Sequence, residues 1–357
     1  MTLVRWLLAP LAPLYGTAVR LRNRAFDQHP ERSAGVPVPV VSVGNLSTGG
    51  TGKTPVTLFL AEALERAGRR AAIVSRGYGG RRAVDPMTVD PAGDPAETGD
   101  EPLMMARRLG PGRVVVGRRR HHAALRALAL EPAPDLLIMD DGFQHRALRR
   151  DLDLLLLDGV RTWGNGRMLP LGDLREPMAG AARASCLVVT RGSRADRGRV
   201  LAWWRQYGSG GPVFWLDFSI GAVRRFDTGE RLERPGPSPG PLHAFCGLGH
   251  PGAFYADLLV AGLAWIGTTS FRDHQPATPR RLAKLAAEAA AAGAEGLVCT
   301  EKDAVKLPAD LRLGLPLWVA EQRVDGGTAL AEWLLTRLAP PPPPAVPPGP
   351  GAPPPRR

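Results

Sequence analysis

The chain is predicted to be an α/β protein: a doubly wound, mostly parallel sheet with a second, smaller α/β unit behind it. Three observations carry that class. Short apolar, β-branched runs recur with helical or loop segments between them, as parallel strands buried on both faces require. The first run leads through a glycine-rich loop into a segment of helical apolar spacing. A charged and then Pro/Gly-rich stretch at 224–241 interrupts the alternation, which then resumes on a smaller scale.

The elements follow in order. MTLVRWLLAPLAPLYGTAVRLRNRAF (1–26) has an apolar part broken by Pro10 and Pro13 and shorter than the ~20 residues a bilayer span requires. Arg20, Arg22 and Arg24 follow it, and Trp6 and Tyr15 favour headgroup depth, so the segment is expected to lie on an anionic membrane surface, uncleaved. The unit at 27–223 takes its strands from PVPVVSV, RRAAIVS, RVVVG, PDLLIMDD, LDLLLLDG, SCLVVT and VFWLDF. After the linker, 242–338 alternates PLHAFCG, a helix near 254–263, AWIGTTSF, an alanine-rich helix near 279–292, GLVCT, LPLWVAE and a last helix. This is a Rossmann-like pattern. The tail 339–357 is proline-rich, and proline removes backbone donors, so no packed element is expected there.

The loop SVGNLSTGGTGKTP identifies the chemistry. Its slots Ser47, Thr48, Gly49, Gly50, Thr51, Gly52, Lys53 and Thr54 follow G-x-x-x-x-G-K-[ST] except that Ser47 stands for the first glycine. Glycines let successive N–H groups curl around phosphate oxygens, a lysine reaches the terminal phosphates, and a hydroxyl can hold magnesium. Strand, loop and helix come in the order a nucleotide triphosphate site needs. Farther on, PDLLIMDDGFQH ends an apolar strand in Asp140 and Asp141, where a carboxylate can hold magnesium on the phosphates.

Composition narrows the rest. A 44% apolar share is ordinary for a globular chain, and 357 residues exceed one typical core. The net charge of +12 comes from scattered arginines without basic–aromatic interleaving, so no nucleic-acid partner is expected. Cys186, Cys246 and Cys299 lie far apart in apolar runs, which suits neither a disulfide framework nor a zinc site and fits a reducing compartment.

NLSTGGTGKTP, SRGYGG, TGDEP, DDGFQH, GNGRMLPLGDLREP, FRDH and TEKDAVKLP occur in that order, and together they resemble the tetraacyldisaccharide 4′-kinases, the lipid A 4′-kinases of Gram-negative bacteria. The resemblance runs from the N-terminal segment to about Leu307, departing at Asp173, where proline is common, and at Gln275. It implies ATP and magnesium, an acylated glucosamine disaccharide 1-phosphate as acceptor, and peripheral attachment at the cytoplasmic face of the inner membrane. It implies Asp100 as the base, assisted by His274, with Lys53 and Thr54 on the phosphates and Arg76, Tyr78, Gln144 and His145 lining the site. Glu301, Lys302 and Asp303 cap a helix as readily as they contact nucleotide.

Two other enzyme classes fit less well. A partitioning-type ATPase needs a second lysine where Thr48 stands. A nicotinamide oxidoreductase is suggested by Gly247, Gly249 and Gly252, with Asp273 about 20 residues on, but it leaves the lysine loop without a role.

Overall fold

In the computed structural model, which describes residues 10–81, 86–234, 239–249, 251–271 and 277–338, the alternation becomes one mixed, mostly parallel sheet of 13 strands. Its strands are β1 (Val40–Asn45), β2 (Ala71–Ser75), β3 (Met87–Thr88), β4 (Val114–Val116), β5 (Leu136–Asp140), β6 (Leu152–Asp158) and β7 (Cys186–Thr190). They continue with β8 (Val213–Arg225), β9 (Arg231–Glu233), β10 (Leu242–Cys246), β11 (Trp265–Ser270), β12 (Gly296–Thr300) and β13 (Leu317–Asp325). Across the sheet the order is β11-β10-β12-β13-β8-β7-β6-β1-β5-β2-β4-β3, with β9 paired to β8.

Every residue of β1, β2, β5, β6 and β7 is buried, which explains their unbroken apolar character. The helices are α1 (Leu11–Gln28), α2 (Lys53–Arg66), α3 (Pro95–Thr98), α4 (Asp100–Leu109), α5 (Arg120–Leu128), α6 (Arg197–Tyr207), α7 (Pro251–Val260), α8 (Pro279–Ala291), α9 (Glu301–Ala304) and α10 (Thr328–Arg337). Helix α8 shows how local chemistry sets a boundary. The Thr278 hydroxyl accepts from Arg281 N–H, Pro279 opens the first turn, and Leu282, Leu285, Ala286 and Ala289 form its buried face.

The two alternations of the sequence meet at β8. Its first residues run parallel to β7, and its later ones run antiparallel to β13 from Asp217↔Asp325 to Arg225↔Trp318. The charged start of the expected linker is therefore the end of β8 and, after a turn, β9 pairing back on it; residues 235–238 lie outside the described ones. Helix α10, last in sequence, returns to α2, and Leu330 and Leu334 share a core with Val56, Leu60 and Ile73.

Helix α1 buries Ala12, Gly16 and Val19 and leaves Leu11, Leu14, Tyr15 and Leu21 exposed. Among the described residues no helix is long and apolar enough to cross a membrane. The cysteines are buried and free. Residues 1–9, with Trp6 among them, His274 with its neighbour Asp273, and the tail 339–357 lie outside the described residues.

Candidate active site

Strand β1 lies inside the first half, flanked by β5 on one side and β6 on the other, both parallel to it. The crevice beyond the carboxyl ends of such strands, where the winding reverses, is where ligands bind in open α/β sheets. The glycine loop leaves β1 at that point. Gly52, at φ 79°, sits where a Cβ would overlap the Phe218 ring, so only glycine lets the chain enter α2 there. The loop is strapped down at both ends: Thr48 N–H donates to the Asp173 carbonyl (2.7 Å), and the Thr190 hydroxyl donates to the Thr51 carbonyl (3.0 Å). Ser47, the departure from the glycine pattern, is buried and forms a β-bridge to Leu174. Its slot therefore asks for pairing with the 173–174 segment rather than for free backbone rotation.

Lys53 and Thr54 open α2 and face the acids at the end of β5. Lys53 Nζ lies 3.5 Å from Asp141 Oδ1 and donates to Asn45 Oδ1 at 3.3 Å. The register Val43↔Asp140 fixes this meeting, because it sets the last residue of β5 beside β1. Thr57 Oγ1 donates to Asp140 Oδ1 (3.2 Å) and Thr54 Oγ1 to Glu101 Oε2 (3.1 Å). Full burial, together with the charges of Glu101 and Asp141, pushes Asp140 up to about 7. Burial acts on Asp141 in the same direction, but Lys53 and Arg175 outweigh it and hold that carboxyl below the usual range. Adjacent carboxylates thus differ in proton affinity: at Asp140 burial and two neighbouring acids prevail over Lys53, whereas at Asp141 Lys53 and Arg175 prevail over burial.

Asp100 and Glu101 begin α4. Gly99, at φ 94°, holds the turn before them, and a Cβ there would come within 2.5 Å of the Tyr78 carbonyl. That close approach sets the loop carrying Arg76 and Tyr78 beside Asp100, with the Tyr78 side chain in solvent. Asp100 Oδ2 lies 3.4 Å from Lys306 Nζ, a contact from the other half of the sheet. Gln144 donates through Nε2 to the Asn45 carbonyl (2.8 Å) and to Glu176 Oε1 (2.7 Å). Burial and the charges of Arg120, Arg22 and Arg150 push His145 down to about 4, so it is a neutral imidazole at pH 7. Lys53, Thr54, Asp140, Asp141, Asp100, Gln144 and His145 accordingly gather at one end of the sheet.

Several residues here escape a reading of the sequence. The sequence marks Glu101 only as the neighbour of Asp100. Arg175 binds both oxygens of Asp141 through Nη1 (3.0 and 2.9 Å), and buried Glu176 accepts from Arg183 (2.7 Å), Asn23 (2.8 Å) and Gln144. Arg175 and Glu176 both lie in GNGRMLPLGDLREP, so the motif itself is the available signal. Helix α1 ties into the same network: the Tyr15 hydroxyl donates to the Arg175 carbonyl (2.9 Å), Arg22 donates to the Gln144 carbonyl, and Arg146 pairs with Asp27 (2.7 Å). The G-x-G-x-x-G coincidence also resolves. Gly247 N–H donates to both oxygens of Asp303 (3.1 Å each), which occupies an amide that a dinucleotide loop would present to phosphate.

A strand–glycine loop–helix with lysine and threonine at the helix start, facing strand-end carboxylates, defines the phosphate-loop nucleotide-binding class, which holds phosphotransferases and nucleotide hydrolases alike. A family model described as tetraacyldisaccharide-1-P 4′-kinase matches residues 4–339. A tetraacyldisaccharide 4′-kinase of Chromobacterium violaceum is 38% identical over 340 residues, covering 93% of this chain and 94% of that protein. One of Dinoroseobacter shibae is 42% identical over 318 residues, covering 88% of each. The crystal structure of LpxK from Aquifex aeolicus, in complex with ATP, aligns with a TM-score of 0.73 at 30% identity, covering 94% of this chain and 100% of that one. The chain belongs to the tetraacyldisaccharide 4′-kinase family of lipid A biosynthesis.

Proposed function

We propose that this kinase takes the γ-phosphate from ATP, as the Aquifex aeolicus relative solved with ATP suggests, and delivers it to the 4′-hydroxyl of a tetraacyldisaccharide 1-phosphate presented at a membrane surface. The observation that carries the assignment of roles is the convergence of Lys53, Thr54, Asp140, Asp141, Asp100 and Glu101 at the carboxyl edge of β1 and β5. The loop at 47–52 wraps the phosphates, and Lys53 leaves Asn45 and Asp141 to meet their charge. Asp100 accepts the proton of the sugar hydroxyl as the O–P bond forms, with His274 as its assistant. Arg76, Tyr78, Gln144 and His145 border the space the disaccharide enters.

The donor set suits magnesium. Asp140 is crowded by Glu101 and Asp141 in a buried position, so a divalent cation there relieves mutual repulsion, and the Thr54 hydroxyl adds a neutral oxygen. Among the described residues no group of three His, Cys, Asp or Glu side chains is placed to hold a metal ion by itself, so phosphate and water would have to supply the remaining ligands. Thr54, Asp140 and Asp141 would hold the ion, which when bound neutralises charge on the phosphate oxygens.

The exposed apolar side chains of α1, with its arginines, fit peripheral attachment to an anionic leaflet at the cytoplasmic face of the inner membrane, where ATP is at hand. The two α/β units, 27–223 and 242–338, would close over the substrates about β8. The decisive experiment incubates the protein with γ-labelled ATP, magnesium and the disaccharide 1-phosphate in mixed micelles and follows label into lipid. Transfer by the wild type and its loss in Lys53→Ala of unchanged circular dichroism support the assignment. Equal transfer by Lys53→Ala would refute it.

A further inference from the structure

The TEKDAVK segment forms α9 and the turn after it, and the roles proposed above leave it without a task. It is nevertheless bolted to both halves of the sheet. Glu301 accepts from Arg108 of α4 (3.3 Å) and from the Gln322 amide of β13 (3.1 Å). Asp303 accepts from the Thr300 hydroxyl (2.7 Å) and from Gly247 N–H. The Lys306 amide donates to the Asp303 carbonyl (3.2 Å), so the direction in which this lysine leaves the turn is fixed.

The Lys306 side chain is 8% exposed, and Nζ finds no hydrogen-bond partner among the described residues; its ionic contact is Asp100 Oδ2 at 3.4 Å. A lysine taken out of water is costly unless a carboxylate faces it. Helix α4, which Asp100 begins, has Gly99 at its N-cap and no side-chain capping hydrogen bond, so the cap does not determine where the Asp100 carboxylate points. Lys306 supplies that constraint from outside.

We propose that Lys306 is the positioning residue of the base: it holds the Asp100 carboxylate at the mouth of the phosphate loop, and through it the second half of the sheet controls where the proton of the sugar hydroxyl is received. Its position 3.4 Å from the acid, with Glu301 bonded to Arg108 of α4 and to the Gln322 amide and Asp303 bonded to Gly247, couples the anchor of the base to both halves at once. The inference rests on Asp100 being the base, and the test separates the two.

The experiment measures steady-state kinetics and melting temperature for Lys306→Met, Lys306→Arg, Asp100→Asn and the double variant Asp100→Asn/Lys306→Met. Lys306→Met, nearly isosteric but neutral, should lower kcat about tenfold or more with KM for ATP within about twofold, as for a group acting on the transition state. Lys306→Arg should restore part of kcat because it keeps the charge. In the Asp100→Asn background the second change should cost little further, since the two act as one unit. Losses that multiply in the double variant, or a rise in KM for ATP without a fall in kcat, would show that Lys306 contacts phosphate directly and overturn the proposal. A normal kcat in Lys306→Met would overturn it too. Equal failure of Lys306→Arg and Lys306→Met, with a matching fall in melting temperature, would reduce the lysine to a packing role and also reject it. An active Asp100→Asn enzyme would instead remove the base assignment itself.

Discussion

Asp140 and His145, five positions apart in the sequence, are shifted in opposite senses by burial, because burial disfavours whichever form carries charge. Asp140 moves from 3.8 up to about 7, so the folded state holds a proton that the unfolded chain releases, and stability falls as pH climbs from about 4 to about 7. His145 moves from 6.5 down to about 4, so the unfolded chain takes the proton first, and stability is lost as pH falls through that interval. In the wild type these slopes oppose one another. Asp140→Asn should therefore expose the contribution of the histidine, with urea midpoints that rise with pH between about 4.5 and 6.5, and His145→Gln should leave midpoints that fall over the same range. Denaturation curves of both variants that parallel the wild type across that range would contradict the burial argument. The adjacent carboxylates of the DD pair are legible in the sequence; which one keeps its proton is not, because that depends on Arg175 and Glu101 arriving from 34 and 39 positions away.

Among the elements, the phosphate loop and α1 respond to different changes. Gly52→Ala forces a Cβ into the Phe218 ring at a positive φ, whereas at Gly50 nothing lies within 4 Å of the added carbon. Nucleotide titration should show Gly52→Ala weakened about tenfold or more and Gly50→Ala much less, because only the first must move the loop or the ring. Equal losses would mean that the loop is not held against β8 in solution. On α1, Leu14 and Leu21 are 67% and 64% exposed, while Ala12, Gly16 and Val19 face the protein. Leu14→Glu with Leu21→Glu should leave the melting temperature within a degree or so and lower co-sedimentation with anionic vesicles, since these side chains give up contact with lipid rather than with the core. Undiminished co-sedimentation would move the membrane contact to another surface.

For the molecule as a whole, one of the ties between the halves passes through Arg108. Its guanidinium donates to Glu62 (2.6 Å), Glu301 (3.3 Å) and the Gln322 carbonyl (2.9 Å), joining α2, α4, α9 and β13. Burial pushes Glu301 up, and Arg108 is the first charge that opposes this. Arg108→Ala removes the cation and strands a buried carboxylate, so unfolding free energy should drop by about 3 kcal/mol, the lower end for a broken buried pair and more than an exposed ion pair contributes. Urea denaturation measures it directly, and a change below about 0.5 kcal/mol would place the pair among the exposed ones. The same variant should slow turnover, because α9 leads directly into the turn that carries Lys306.

The sequence by itself determined the strand–loop–helix around Lys53, the buried parallel strands and the acids at the end of β5. Each is written in a contiguous stretch whose spacing, β-branching or glycine content has only one economical backbone. It also determined the family, because its motifs occur in a fixed order. Only the tertiary structure decided that the two alternations share one sheet through β8, since the reversal from parallel to antiparallel pairing is a matter of which strand arrives alongside, and the charged turn at 226–230 looks the same in a linker and in a hairpin. It alone joined α10 to α2, Glu101 to Thr54, Arg175 to Asp141 and Lys306 to Asp100. Those contacts span from 34 to more than 200 positions of sequence, and no local propensity encodes them; they follow from the strand order, which brings the carboxyl ends of β1 and β5 and the start of α4 to one edge and lays α9 across it.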